Sequence, residues 1–383
     1  MANRRKLAAA AEFDRILAVQ SWILRRLGCD VFDLNYRFSP ATWVIVFLAS
    51  FYMVISAYDL YRFRNDVFNF AFSLVTLSYG VIGCTRIVLF LRNSRTYAQI
   101  VVEARRTYEQ VSNEREQEVQ ERYTRMLKRC VTFYSISFIG GCIMGGFFPL
   151  AVYWWTGLKV LPFGVILPFT DPDTIEGYQL NYLYQVSCIV WTPPGLTATQ
   201  NVYFALVFNL CIQYDVLKLK LEDLDKLIRD GAEYDTIREK LVEIINWQRH
   251  LVDFIAEIDR NFTVQTFVEI SSVAMQMVIV LFVLHIDVWL PGYMVIFVAS
   301  FQLFVLCILG AMIEIKSDIF TEQIYGIAWH RMRTPEQKMV QFMLAKAQYT
   351  MQLTYGGMLP LNMNLFVTIY KKTYSVFMML QNM

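Results

Sequence analysis

Seven stretches of this chain are predominantly apolar, near 41–58, 67–91, 130–155, 192–214, 264–286, 292–313 and 360–383. Each is close to the roughly 20 residues that a helix needs to cross the hydrocarbon core of a bilayer. Inside hydrocarbon a backbone must hydrogen-bond to itself, so the runs read as helices. The chain is 56% hydrophobic and 18% charged, too apolar for an ordinary soluble domain, and at 383 residues too long for a single span. The expected fold class is therefore an all-α membrane protein with seven transmembrane helices. Its N-terminus is expected in the cytoplasm, with further cytoplasmic helices between the spans.

Basic residues set that orientation. The segment before the first run carries Arg4, Arg5, Lys6, Arg15, Arg25, Arg26 and Arg37. The second-to-third, fourth-to-fifth and sixth-to-seventh connections are also rich in Lys and Arg, whereas the opposite loops hold only Arg62, Arg64 and Lys159. Basic loops stay inside, which puts the N-terminus in the cytoplasm and the C-terminus outside. A G-protein-coupled receptor would have the opposite parity, and no NPxxY-like run stands in the last span.

Between the runs the pattern is helical. Leu7 to Leu27 reads as an amphipathic helix at the inner membrane surface, since Glu12, Asp14 and Arg15 rule out a secretory signal. Leu217, Leu221, Leu224 and Ile228 recur at helical spacing, and Asp230-Gly231 ends that helix. A second helix starts near Asp235 and should bury Ile237, Leu241, Ile244, Leu251, Ile255, Ile258 and Phe262. A third, Pro335 to Leu353, presents Met339, Phe342, Met343 and Tyr349. Within the spans, Arg86 is expected to snorkel to the inner surface. Gly140, Gly141, Gly145 and Gly146 imply close helix packing or room for a ligand beside Phe148.

Gly356 and Gly357 break the third cytoplasmic helix, and Pro360 suits the first turn of a new one. That last helix holds Lys371 and Lys372 near its middle, where facing lipid is unfavourable. Thr368, Lys372, Ser375, Met379, Asn382 and Met383 fall on one stripe, which reads as a face toward an aqueous path. The alternative is a buried helix whose lysines pair with acidic neighbours.

The C-terminal region resembles the insect odorant receptor family. The resemblance runs from Cys307 through Gly310, Ser317, Tyr325 and Trp329 to Pro360-Leu361, Leu365-Phe366, Lys371 or Lys372, Tyr374-Ser375, Phe377 and Leu380. The run WQRHLVDFIAEIDRNF, with His250, is similar to the same family. The sister gustatory receptors end in TY, five apolar residues and QF. Here Thr373-Tyr374 and Gln381 are spaced differently and Asn382 replaces the Phe. A gustatory-like ligand-gated channel is thus the alternative reading, and a G-protein-coupled receptor a more distant one.

The resemblance implies an odorant-gated, non-selective cation channel subunit in the plasma membrane of a sensory neuron dendrite. It implies a heterotetramer with a shared coreceptor, around a pore made by each last helix and gated near its outer end, at Met379, Asn382 and Met383. It also implies a small volatile ligand in the outer half of spans two to six. Outer-turn candidates are Phe72, Val75, Thr76 and Tyr79, then Gly145 and Phe148, then Thr197, Asn201 and Phe204, and finally Ile279, Phe282 and Tyr293. Membrane lipid is the other expected contact.

No GxSxG, Walker or HExxH motif is present and no carboxylate pair stands in a span, so no enzyme is expected. A transporter would show internal repeats, which are not evident. No cofactor, metal or nucleic-acid partner is expected. The organisation expected is an amphipathic segment over 1–40, spans one to four over 41–214 and a cytoplasmic hairpin over 215–263. Spans five and six follow over 264–313, a helical anchor over 314–358 and the pore-lining last span over 359–383.

Overall fold

The computed structural model describes residues 2–29, 32–34, 36–111, 113–286, 290–349 and 352–381. In chain order the elements are α1 (Ala2–Arg26), α2 (Pro40–Arg62), α3 (Val67–Arg92), α4 (Ser94–Gln110), α5 (Glu114–Thr156), α6 (Ile175–Arg229), α7 (Tyr234–Ile286) and α8 (Leu290–Gly326). A 3-10 turn (Trp329–Arg331), α9 (Thr334–Gln348), a hairpin of β1 (Thr354–Tyr355) and β2 (Leu359–Pro360), and α10 (Met363–Gln381) complete the chain. Among the described residues, six helices are long and apolar enough to cross a membrane. They correspond to the first six expected spans. The seventh, α10, is less apolar because of Asn364, Lys371 and Lys372.

Helix starts follow local chemistry. Ser39 caps α2 in a reciprocal box with Thr42, with Pro40 in the first turn. Asp66 caps α3 by accepting from the Asn69 and Phe68 backbone N–H groups. Those bonds, with one from the Asn69 side chain, hold its carboxyl below the ordinary range.

The bundle is organised around α6. It is 55 residues long and continuous through Pro193 and Pro194. Its apolar window is 89% buried, against 17–50% for the other spanning helices, so it is the axial helix. The expected fourth span, 192–214, is only its middle. The first turns carry Asn181 and Gln185, which lower hydropathy but are held by the 157–174 loop. Gln185 accepts from the Phe163 backbone and donates to the Val165 carbonyl, and Asn181 accepts from the Leu167 backbone. Asp59 on α2 accepts from Ile166, and Ser73 on α3 donates to Gly164. The 157–174 loop is thus an ordered cap stitched to α2, α3 and α6.

At the opposite end of the bundle, α6 and α7 run on past their apolar stretches and turn back on each other at 230–233. Gly231 adopts φ +70° there, a conformation that suits glycine. The boundaries drawn at 214 and 263 therefore fall inside continuous helices. Leu217, Leu221, Leu224 and Ile228 are buried, as are Ile237, Leu241, Ile244 and Leu251. Asp215 joins three helices there, accepting from Arg122 and Tyr123 of α5 and pairing with Lys316 of α8.

α1 lays one face on protein. Phe13, Ile16, Leu17 and Leu24 are buried, and Phe13 stacks on Tyr108 of α4 at 4.6 Å. The outward side keeps Val19 and Trp22 exposed.

Two other elements depart from expectation. In α9 the buried stripe is Glu336, Val340, Met343 and Ala347, while Phe342 and Tyr349 are exposed. Glu336 turns inward with the apolar Val340, Met343 and Ala347, fully buried and taking a hydrogen bond from Tyr234. Pro360 lies in β2, not in a helix, and α10 starts at Met363. Gly356 and Gly357, at φ +63° and +70°, form the turn of the hairpin.

Candidate functional site

The foot of α10 is fixed by side chains that ring the hairpin. Asp259 of α7 accepts from the Thr354 backbone at 2.6 Å and from its hydroxyl. Thr266 donates to the Thr354 carbonyl, and Ser271 bonds the Tyr355 hydroxyl. Asn362 caps the helix by accepting from Leu365, and its amide reaches Glu314 of α8. A Cβ on Gly310 would lie 1.9 Å from the Leu361 carbonyl, so only glycine lets the chain pass α8 at that point.

Beyond its foot α10 is sparsely covered. It packs on α7 and α8 through Leu365, Ile369 and Thr373, with aromatic contacts from Phe366 to Phe304 and from Phe377 to His285. Thr368, Lys372, Ser375 and Met379 share one exposed face, and Met379 is 65% exposed. Lys371, Val367 and Tyr374 extend that uncovered arc. A buried helix with its lysines among acids is therefore not what the single chain forms. Asn382 and Met383 lie outside the described residues.

The candidate ligand residues divide into groups. Phe72, Val75 and Tyr79 of α3 come together with Ile279 of α7 in a second apolar cluster, built on Ala71, Val75, Val280 and Val283 and flanked by Val295 and Ile296 of α8. Thr76 is turned to the 157–174 loop and accepts from the Gly164 backbone. Phe282 is half-buried, and Tyr293 is exposed.

The others sit elsewhere. Gly145 and Phe148 are exposed on α5. Of the four glycines there, only Gly146 makes a close approach, to Ile189. Thr197, Asn201 and Phe204 are buried in the main core. Asn201 donates to Gln20 of α1 and Ser135 of α5, which places it far from the 157–174 loop. This depth follows from α6 beginning at Ile175 and not near 192.

Sequence reading missed one polar feature of the bundle. Arg86 does not snorkel. It is 3% exposed and pairs at 2.7 Å with Glu269 of α7, itself 1% exposed. Its guanidinium also donates to the Leu196 carbonyl, the Thr199 hydroxyl and the Gln200 side-chain carbonyl of α6. A lone base in one span and a lone acid in another were the available signal, because intramembrane charges tend to pair. A cavity of about 60 Å³ adjoins Arg86, lined mainly by Leu24, Leu27, Ile45, Phe90, Trp191 and Leu196.

A family model described as 7tm Odorant receptor matches residues 66–374. Putative odorant receptor 83c of Drosophila melanogaster is 19% identical over 376 residues, spanning 93% of this chain and 94% of that protein. Odorant receptor Or2 of Anopheles gambiae is 25% identical over 281 residues, 69% of this chain and 71% of that one. The solved structure of the insect olfactory receptor OR5 from Machilis hrabei superposes with a TM-score of 0.79 at 14% identity, over 97% of this chain and 98% of that chain. Its complex with eugenol gives 0.78 at 12% identity, over 98% and 99%. At such identities the likeness is one of fold.

Proposed function

This chain belongs to the 7tm odorant receptor family, and from that premise we propose that it is a tuning subunit of an odorant-gated, non-selective cation channel. It is a multi-pass membrane protein of a receptor family, not of an enzyme family. A small volatile binds in the outer half of the bundle, where Phe72, Val75, Tyr79 and Ile279 meet. Binding opens a central pore lined by the Thr368, Lys372, Ser375 and Met379 face of α10, in a heterotetramer with the shared coreceptor in the plasma membrane.

The observation that carries this reading is the uncovered face of α10. A helix with Lys371 and Lys372 exposed in its middle is poorly suited to lipid and well suited to a shared aqueous path. The 230–233 turn supports a tuning role, since the coreceptor this family resemblance implies has a much longer loop between its fourth and fifth spans. Current recording from cells that express the chain with and without a coreceptor, against a panel of volatiles, tests the proposal. Currents that need both the chain and a volatile support it; a silent chain across a broad panel counts against it.

Two further results are expected. A tag at the N-terminus should stain only after permeabilisation, because the basic segments before α2 and between α3 and α5 stay inside. Staining of intact cells would reverse the topology. Single-particle mass measurement in the presence of coreceptor should show tetramers containing this chain; monomers alone would sink the assembly.

A further inference from the structure

We propose that Gln276 is the polar anchor of the ligand site. It selects small apolar molecules that end in a group able both to donate and to accept a hydrogen bond, a hydroxyl or an un-ionised carboxyl. The inference rests on the outer bundle being the odorant site, and it adds the chemistry of what binds there.

Gln276 is fully buried on α7, and both polar atoms of its side chain lack a hydrogen-bond partner. No other side chain among the described residues leaves two such atoms unpartnered. An amide offers a carbonyl acceptor and two N–H donors, and burying them unbonded is unfavourable. Buried polar groups in folded proteins are nearly always bonded, so an exception calls for an explanation.

Its position supplies one. α3 and α7 run antiparallel, tied toward the inner side by Arg86 and Glu269. Toward the outer side Ala71 and Val75 share a cluster with Val280 and Val283. Tyr79 lies one turn inward of Val75, and Gln276 one turn inward of Val280, which brings the two to the same depth. Gln276 belongs to the α7 stripe of Glu269, Val273, Val280 and Val283, whose ends meet α3. The main core reaches Val273 and Met277, and the second cluster begins at Ile279. The amide thus stands at the seam between two apolar clusters.

A hydrocarbon at that seam would leave both amide groups bare. An ether, ester or ketone takes the N–H and leaves the carbonyl oxygen unsatisfied. A hydroxyl accepts from Nε2 and donates to Oε1, and an un-ionised carboxyl does so with its two oxygens.

The test uses the receptor with its coreceptor in lipid nanodiscs. Calorimetric titration compares matched sets of alcohol, methyl ether and alkane in straight-chain, cyclic and aromatic series. Octanoic acid, offered below and above its ionisation, separates the carboxyl case from the hydroxyl case. Within a set the alcohol should bind about tenfold more tightly than the ether. Gln276→Leu should erase that ratio by weakening the alcohol alone. The ligand-free Gln276→Leu protein should also melt above wild type, because it no longer buries an unbonded amide, whereas a structurally required glutamine would give a lower melt.

Equal affinities for alcohol and ether in wild type, a ratio that survives Gln276→Leu, or no binding by any compound would each overturn the inference. The wild-type ratio stands even if the variant does not fold. Currents recorded from the same compounds keep the two readings apart. Selective binding without current defeats the channel reading alone, and current without selectivity defeats the anchor alone.

Discussion

Arg86→Met is expected to destabilise the receptor by roughly 3–5 kcal/mol, the usual consequence of removing one partner of a buried ion pair. Glu269, 1% exposed, would be left buried without its partner. The same change removes the links to Leu196, Thr199 and Gln200, so α3 loses its polar tie to both α6 and α7. Surface expression should collapse, and the purified fraction should melt well below wild type. The double change Arg86→Met with Glu269→Leu should recover much of the loss, since an apolar pair of similar volume removes the orphaned charge. A single variant as stable as wild type would show that the pair does not hold the bundle together.

Met379→Ala is expected to act on the pore. Met379 stands one turn beyond Ser375 on the exposed face of α10, toward the end of the described helix. A narrow apolar ring excludes water and ions until it widens, and methionine fills irregular gaps well. Shortening it should raise ligand-free current several-fold or alter ion selectivity while keeping the rank order of odorants. In the proposed heterotetramer the coreceptor supplies the rest of the ring, so the effect should be partial. Phe72→Ala or Tyr79→Ala should do the reverse, reordering odorants and sparing selectivity. Unchanged leak, selectivity and conductance in Met379→Ala would remove α10 from the path.

The elements that were readable in advance are those where one signal dominates. The hairpin of α6 and α7 outside the bilayer follows helical periodicity, and Leu221, Leu224, Leu241 and Ile244 are buried as that spacing requires. Seven apolar runs marked seven helices for the same reason. The failures come from polar residues satisfied at a distance. Asn181 and Gln185 lower the hydropathy of the start of α6, and only the loop that accepts and donates to them makes their burial tolerable. The misplaced start of α6 then carried Thr197 and Asn201 too far outward. Glu336 shows the same effect on α9, where Tyr234, distant in sequence, supplies the hydrogen bond to the buried carboxylate. Four of the twelve candidate ligand residues were legible as one apolar cluster: Phe72, Val75, Tyr79 and Ile279 needed only apolar pattern and depth. Gln276 was not, because the lack of hydrogen-bond partners is visible only once its neighbours are placed.

The fastened foot of α10 has a mechanical consequence. Asp259, Thr266, Ser271 and Glu314 hold the hairpin and the first turn, whereas the far half is gripped on a narrow stripe. A rod pinned at one end moves in proportion to distance from the pin. From Met363 to Met379 the axis extends about 24 Å. A tilt of about 5° at the foot therefore displaces the tip by roughly 2 Å, taking that rise per residue as the lever length. Four such levers leaning outward would widen an opening at their tips by about twice that amount across its diameter, while the residues next to the hairpin scarcely move. In the proposed channel, small rearrangements between α7 and α8 would in this way be amplified by geometry alone, with no helix needing to unwind or break.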